Sequence, residues 1–211
     1  ELQILKRFTE VFAFAYDRFL ELKEKEDQNR ELTIQNAIER VRSRALGMQE
    51  SADVAEVTSS LLEELRGLEL PIYTVLIGVY GGETIQGWQV GWRSGPVTFE
   101  RDEELSAAAE AGKPWLVRDL GEVSDRRRNW VRETMEDAGS SPDEIEAAIA
   151  AFGDHQFGHS VFFNRGFIGH RGPRRLEEHE LQILKRFTEV FAFAYDRFLE
   201  LKQKEDQNRE L

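Results

Sequence analysis

The chain has 211 residues, carries a formal net charge of −12 and contains no cysteine. The missing cysteine excludes disulfides, thiolate metal sites and cysteine nucleophiles. The acidic balance argues against a nucleic-acid binder, which needs a basic surface to neutralise phosphates. No apolar run approaches the ~20 residues of a membrane-spanning helix, and the first residues lack a secretory signal pattern. We therefore expect a soluble, cytoplasmic protein with no membrane segment among these residues.

The first 32 residues of the chain return at its other end. Residues 1–32 and 180–211 differ only where Glu24 corresponds to Gln203. A repeat of this length indicates a multi-unit architecture. Residues 33–211 would then be one full unit, and residues 1–32 the tail of a preceding unit in a longer protein. A helix that was deliberately duplicated is the alternative.

The repeated segment is predicted to be an amphipathic helix. From 181 to 201 it has no Gly or Pro, and its apolar residues gather on about half of the helix surface. One packing partner requires a narrower stripe, so we expect two partners, a sheet and another helix. The first copy meets no helix breaker before Gly47, which predicts one long helix, or two nearly continuous ones, over residues 1 to about 48. The predicted dimer or bundle interface uses both copies and comprises Leu5, Phe8, Phe12, Tyr16, Phe19, Leu184, Phe187, Phe191, Tyr195 and Phe198.

Between the two copies the sequence predicts helices that alternate with hairpins. Ser51 is expected to cap a helix over about 53–66, a hairpin turns at Gly81-Gly82, and Ser94–Pro96 is expected to be a loop. Next come a short helix ending at Gly112, a strand, two helices, a hairpin turning at 164–166, and a long helix from near Arg174. This order predicts the α+β class, an antiparallel sheet with helices on its faces. Long helices that form a coiled coil or bundle flank it, so the predicted domains are residues 1–32, 33–174 and 175–211.

Two stretches carry a resemblance to a known family. The segment "IQNAIERVRSRALGMQESADVAEVTSSLLEELRGLEL" (34–70), followed by an apolar hairpin, and the helix at 180–211 resemble the tandem GAF-like repeats of bacterial signalling proteins. Residues from about 95 to 157 match such domains only in outline. The resemblance implies a sensory module that forms a parallel homodimer with itself through its flanking helices. It also implies coupling to neighbouring repeat units or to an output domain elsewhere in the parent chain.

The same resemblance predicts no cofactor. Bilin-carrying members of the family use a cysteine, which this chain lacks. Cyclic-nucleotide-binding members carry an Asn-Lys pair ahead of a Phe and two acidic residues, and no such pair precedes "FERDEE" (99–104).

The predicted ligand pocket comprises Trp88, Trp92, Phe99, Trp115, Arg118 and His159. Aromatic walls with a few polar groups are typical of small-molecule sites, although core packing explains the tryptophans as well. Arg118, with Arg93, suits an anionic ligand, and surface ion pairing is its ordinary alternative. His155 and His159 have the spacing of a metal pair on a helix, but Gly153 and Gly158 argue against a helix there, so we predict no metal site.

No nucleophile–base pattern and no glycine-rich phosphate loop occurs in the sequence, so we predict no catalytic activity. The function predicted from the sequence is a non-catalytic sensory module that dimerises through its helices and takes a small ligand. The alternative is a ligand-free scaffold or spacer repeat in a multi-unit or filamentous assembly.

Overall fold

The computed structural model describes residues 2–91, 94–137, 139–151 and 153–209. The described residues form six α-helices and six strands. In chain order these are α1 (Leu2–Leu46), α2 (Val54–Gly67), β1 (Thr74–Gly81), β2 (Thr84–Val90), β3 (Gly95–Glu100), α3 (Glu103–Glu110), β4 (Trp115–Glu122), α4 (Asp125–Asp137), α5 (Pro142–Ala151), β5 (His155–Phe163), β6 (Gly166–Gly172) and α6 (Glu178–Arg209). The chain divides into two compact units, residues 1–37 and residues 38–211.

The first unit is helical. Its described residues all lie in α1, which continues without a break to Leu46, so the prediction of one long helix is confirmed. Large apolar side chains along this part of α1 are exposed, among them Phe8, Phe12, Phe14, Tyr16 and Phe19. Among the described residues, no helix combines the length and the apolar character that crossing a bilayer demands.

The second unit is built on one antiparallel sheet with the strand order β3-β2-β1-β6-β5-β4. The predicted α+β class is confirmed. Because side chains alternate along a strand, each strand sends every second residue to the same side. In the register of the ladders, Ile77 pairs with Trp88 and Ile168, and Ile168 pairs with Val161. We call the side that carries these residues the helix face and the opposite side the cavity face.

The helix face holds most of the core. The second helix packs on β1 and β2, and α6 packs on β5. The ring of Phe191 in α6 meets that of Phe163 edge-on, with 5.6 Å between the centroids. Residues 38–46 of α1 belong to the same unit, and Arg40 there forms two 2.6 Å hydrogen bonds to Glu64 of α2. The apolar stripes of these helices are therefore buried on a single side of the sheet.

The cavity face is covered by a smaller layer. Leu105 of α3 packs in a buried cluster with Ile85 and Phe167. The third helix begins at Asp102, whose carboxylate accepts a 2.7 Å hydrogen bond from the backbone N–H of Leu105. Such a cap satisfies one of the free N–H groups at the start of the helix. The fourth and fifth helices pack against each other.

Three local predictions are corrected by the structure. The segment expected to be a loop begins β3, which pairs with β2 and places Pro96 opposite Trp88. Proline is tolerated there because β3 is an edge strand. Ser51 begins a short 3₁₀ turn rather than α2, and the Asp53 carboxylate accepts hydrogen bonds from the N–H groups of Gln49 and Glu50. The last helix begins at Glu178, since Arg174 precedes it and reaches forward with two 2.8 Å hydrogen bonds to Glu180.

The duplicated helix gives a matched test of this packing. Phe191 is 0% exposed, whereas its counterpart Phe12 is 71% exposed. Phe191→Ala is expected to lower the free energy of unfolding by about 3–5 kcal/mol, because it leaves a cavity in a close-packed core. Phe12→Ala makes the same change in the same local sequence and, at a dilution at which the chain is monomeric, is expected to cost less than about 0.5 kcal/mol. Urea unfolding followed by tryptophan fluorescence measures both, and equal losses would contradict this packing.

Candidate functional site

A cavity of about 220 Å³ lies on the cavity face of the sheet. All six strands and α3 contribute to its lining. Among the described residues that border it there is no Asp or Glu, although the chain has 40 acidic residues. The residues that line it are Thr74, Leu76, Gln89, Val97, Phe99, Leu105, Arg118, Leu120, Gly158, His159, Ser160, Phe167, Gly169, His170 and Arg171.

Four neighbouring strands each place one residue in a row across the floor of this cavity. Arg118 on β4 pairs with Gly158 on β5, Gly158 pairs with Arg171 on β6, and Arg171 pairs with Thr74 on β1. Neighbouring strands are about 4.8 Å apart, so the two arginines stand roughly 10 Å apart across a glycine. A Cβ atom on Gly158 would lie 3.3 Å from Cδ1 of Leu120, which shows how closely the floor is fitted. The missing side chain leaves room for Leu120 to pack over the floor at this position.

Arg171 is the unusual member of this row. Burial lowers the pKa of its guanidinium to about 10, and the positive charges of Arg127 and Arg118 contribute to the shift. It remains charged at neutral pH, yet within the part of the chain that the structure describes it forms no ion pair. Arg171 is half-buried, and partial burial of a charge without an ion-pair partner is costly, so an anion that entered the cavity would find an unpaired guanidinium group.

Arg118 connects the cavity to α3. Its Nη1 lies 2.9 Å from Oδ2 of Asp102, the residue that caps α3. The same carboxylate therefore holds both the arginine and the first turn of the helix. Because Leu105 of α3 lines the cavity, the Arg118–Asp102 pair also positions part of the cavity wall.

The other groups in the cavity lining, and Arg127 outside that lining, suit a small organic anion. Burial lowers the pKa of Arg127 on α4, a third arginine near Arg171. Uncharged polar residues such as Gln89 and Ser160 add hydrogen-bonding groups, and Phe99 and Leu76 provide apolar wall. Charged groups at one place and apolar surface around them are the usual composition of a site for a carboxylate or phosphate on an organic body.

The structure separates the predicted pocket residues. Phe99 and Arg118 border the cavity. Trp88 belongs to the helix face, where it lines a second depression with Val54 and Tyr195. Trp115 pairs with Val161 and so also belongs to the helix face. Trp92, like Arg93, lies outside the described residues.

His159 borders the cavity, but its imidazole ring lies on the opposite side of the sheet, the helix face. Alternation along β5 places its side chain on the helix face with Val161, and its Nε2 accepts a 3.0 Å hydrogen bond from the N–H of Leu176. Its imidazole stacks on that of His170, with 4.4 Å between the ring centroids. The sequence analysis missed Arg171. The alternation in "FGHSVFF" and "FIGHRG" could have found it, because side chains that alternate along a strand place Arg171 on the face opposite to His159 and His170.

The two stacked histidines are neutral at pH 7. Burial lowers the pKa of His159 to about 4, with help from the charge of Arg175. Burial also lowers the pKa of His170 well below its usual value, and neither of its ring nitrogens has a hydrogen-bond partner of good geometry among the described residues. The other candidate metal ligand, His155, instead pairs with Asp119. No group of three His, Cys, Asp or Glu side chains in the described ranges is placed to hold a metal ion.

The predicted interface residues fall into two environments. In the first copy, Phe8, Phe12, Tyr16 and Phe19 are exposed, and the side chain of Leu5 lies outside what the structure describes. In the second copy, Tyr195 is half-buried and the others are buried inside the domain: Leu184, Phe187, Phe191 and Phe198. The buried group is occupied by the core and is not available to a partner in this conformation.

No protein-family model and no curated protein sequence matches the chain. Solved structures of GAF domains, the family that the sequence resembles, are similar to it. A GAF domain of A. aeolicus nlh2 in an inactive state is 13% identical, with a TM-score of 0.49, over 82% of this chain and 99% of that one. A putative GAF sensor protein from Burkholderia vietnamiensis is 12% identical, with a TM-score of 0.49, over 80% and 94% of the two chains. A phycocyanobilin-bound GAF domain from a cyanobacterial phytochrome has the same values, 12%, 0.49, 80% and 94%.

The buried histidines predict an acid-sensitive fold. As the pH falls below about 6.5, unfolded chains protonate both histidines, whereas folded His159 resists protonation until about pH 4. The unfolded state then binds more protons, so the free energy of unfolding decreases by up to about 1.4 kcal/mol per pH unit for each histidine. Urea unfolding at steps between pH 7.5 and 4.5 measures the slope. We expect His170→Leu to reduce it and His179→Gln, at an exposed position, to leave it unchanged; equal slopes in all three proteins would refute the assignment.

Proposed function

We propose that this chain is a non-catalytic, GAF-like sensory module that binds a small organic anion in the cavity and communicates binding to its flanking helices. The observation that carries the proposal is Arg171, a half-buried charge with no ion-pair partner among the described residues. It faces a cavity whose described lining contains no carboxylate. The sequence resemblance to GAF-like repeats supports the sensory role.

The charge distribution favours an anion over a neutral ligand. The chain as a whole is strongly acidic, so the arginines around the cavity do not reflect its composition. A carboxylate or phosphate oxygen would pair with Arg171 and offset the cost of burying its charge. At about 220 Å³ the cavity is smaller than the roughly 300–1,000 Å³ of drug-sized sites, which favours a short ligand.

Two structural routes lead from the cavity to the rest of the domain. An anion that drew Arg118 away from Asp102 would loosen the cap of α3. An anion bound to Arg171 would restrain the position of β6. His170, the residue before Arg171 in β6, packs on the helix face with His159. The second route reaches the part of the sheet that α6 covers and is the one by which we propose binding is communicated.

Self-association is the second part of the proposal. We propose a parallel homodimer in which the exposed apolar residues of the first copy, with Phe8, Phe12, Tyr16 and Phe19 at their centre, are covered by a partner. Water-exposed aromatic residues in such number along one helix favour association. In a parent protein this helix would connect to neighbouring units or to an output domain. The lack of cysteine agrees with a cytoplasmic setting.

The alternative function is a ligand-free scaffold or spacer repeat. The near-identity of the two helix copies favours it, because repeated use of one interface keeps copies alike, whereas divergent sensing lets them drift. The anion experiment described next separates the two functions.

Arg171→Met tests the ligand proposal through two effects of opposite sign. Without a ligand, the variant is expected to melt at a higher temperature than the parent chain, because it removes a half-buried charge that has no ion-pair partner among the described residues. In a panel of short carboxylic acids and phosphate monoesters at constant ionic strength, at least one compound is expected to raise the melting temperature of the parent chain but not that of the variant.

The matched control is Arg126→Met, which removes an exposed positive charge on the same helix as Arg127. It is expected to retain the response to the active compound. If no anion of the panel shifts the melting of the parent chain, or if both variants lose the response equally, the scaffold function is favoured.

The solution mass tests self-association. Light scattering from low to high micromolar concentration is expected to show a dimer for the full chain and a weaker dimer once residues 1–32 are removed. A monomer in both cases would refute the dimer and leave the cavity proposal standing.

A further inference from the structure

The same helical sequence occupies two different environments in this protein. Residues 2–22 and 181–201 are identical, and the single difference between the copies, Glu24 against Gln203, lies beyond them. In the second copy Phe187, Phe191 and Phe198 are 0%, 0% and 4% exposed, because the domain covers them. Their counterparts in the first copy, Phe8, Phe12 and Phe19, are 71%, 71% and 56% exposed. The first copy thus repeats the sequence that the domain accepts from α6, and its aromatic side chains that the structure describes are exposed.

The surface that accepts α6 is defined by two contacts. On β5, the ring of Phe163 meets Phe191 edge-on. At the following turn, Nε of Arg165 lies 2.6 Å from Oδ1 of Asp196. We call this part of the domain the α6-binding surface. The first copy offers the matching groups at Phe12 and Asp17, and Asp17 has no ion-pair partner within the described ranges.

We propose that residues 2–22 form a docking element for the α6-binding surface of a second copy of this chain. The structure identifies the partner, because residues 2–22 have the same sequence as residues 181–201 of α6, which already pack on this surface. The exposed positions agree in both copies as well: Phe193 is 67% exposed on the closed domain, and its counterpart Phe14 is 76% exposed. This inference does not involve the cavity and stands or falls independently of the ligand.

Competition between the two copies sets the conditions for docking. The docking element and α6 would make the same contacts, but α6 is tethered to the surface that it covers. A short tether gives an effective concentration on the order of millimolar, so α6 prevails in dilute solution. Docking becomes dominant when α6 is weakened, and the protein then links to another copy through an exchanged helix. The chain therefore has two equivalent closing helices for one domain.

The full-length chain can be tested with thiol crosslinking, because it has no cysteine of its own. We introduce Asp17→Cys and Arg165→Cys and treat the protein with a short thiol-to-thiol crosslinker. Docking predicts crosslinked dimers that join position 17 of one chain to position 165 of another and increase with protein concentration. Adding Phe191→Asp, which disables α6, is expected to increase this dimer roughly tenfold at fixed concentration, because the tethered competitor is removed.

Matched variants separate docking from other forms of association. Phe12→Asp with Phe191→Asp disables both copies and is expected to abolish the dimer, whereas Phe14→Asp with Phe191→Asp alters an exposed position and is expected to retain it. Glu10→Cys replaces Asp17→Cys as a geometric control, because Glu189, its counterpart, faces away from the domain. It is expected to give no crosslink to position 165.

Three outcomes would overturn the inference. Crosslinks that join position 17 only to position 17, even after Phe191→Asp has disabled α6, would show pairing of the first-copy helices alone, which leaves the proposed homodimer intact and removes docking. A link between 17 and 165 within one chain would also remove it. If Phe191→Asp abolishes folding, the test uses the variants that lack this substitution. In those variants, a dimer linked between positions 17 and 165 that does not increase with concentration up to the millimolar range would contradict helix exchange.

Discussion

The alternation of side chains along the β5–β6 hairpin is the constraint on which the rest of this domain depends. Gly158 and Arg171 point to one side of the sheet, while His159 and His170, their immediate neighbours in sequence, point to the other. The first pair forms the floor of the cavity, and the second pair is buried beside the chain that leads into α6. A shift of either strand by one residue would exchange the two sets and place neutral imidazoles in the cavity and arginine in the core.

This constraint also explains the unusual electrostatics. An acidic chain places positive charge around one cavity because alternate positions of the strands are fixed by core packing and only the remaining ones face the cavity. Arg118 is stabilised by Asp102, so it can be retained without a ligand. Arg171 has no such partner among the described residues, so removing its charge from water lowers the free energy of unfolding. Groups that weaken a fold yet occupy its cavity are typical of binding sites.

Much of the fold could be predicted from the sequence because its signals are local. Apolar periodicity located α1 and α6, and Gly81-Gly82 located a hairpin. The strand β3 was missed because Gly95 and Pro96 are signals for a loop, and only the edge of a sheet tolerates them in a strand. The candidate site was harder to predict, because the choice of face depends on register between distant strands. Trp88 was assigned to the pocket by its aromatic character, whereas its pairing with Ile77 places it on the helix face.

The proposed anion cavity and the α6-binding surface both include residues of β5, which would give the domain a means of coupling them. Close-packed interiors transmit small displacements because they have no free volume to absorb them. Arg171 is adjacent to His170, which stacks on His159, and His159 accepts a hydrogen bond from Leu176 just before α6. An anion that drew Arg171 toward Gly158 would therefore act on the strand that supports α6. If the first copy docks on the same surface of a second chain, as proposed, even a small change in the packing of α6 would alter which copy covers that surface.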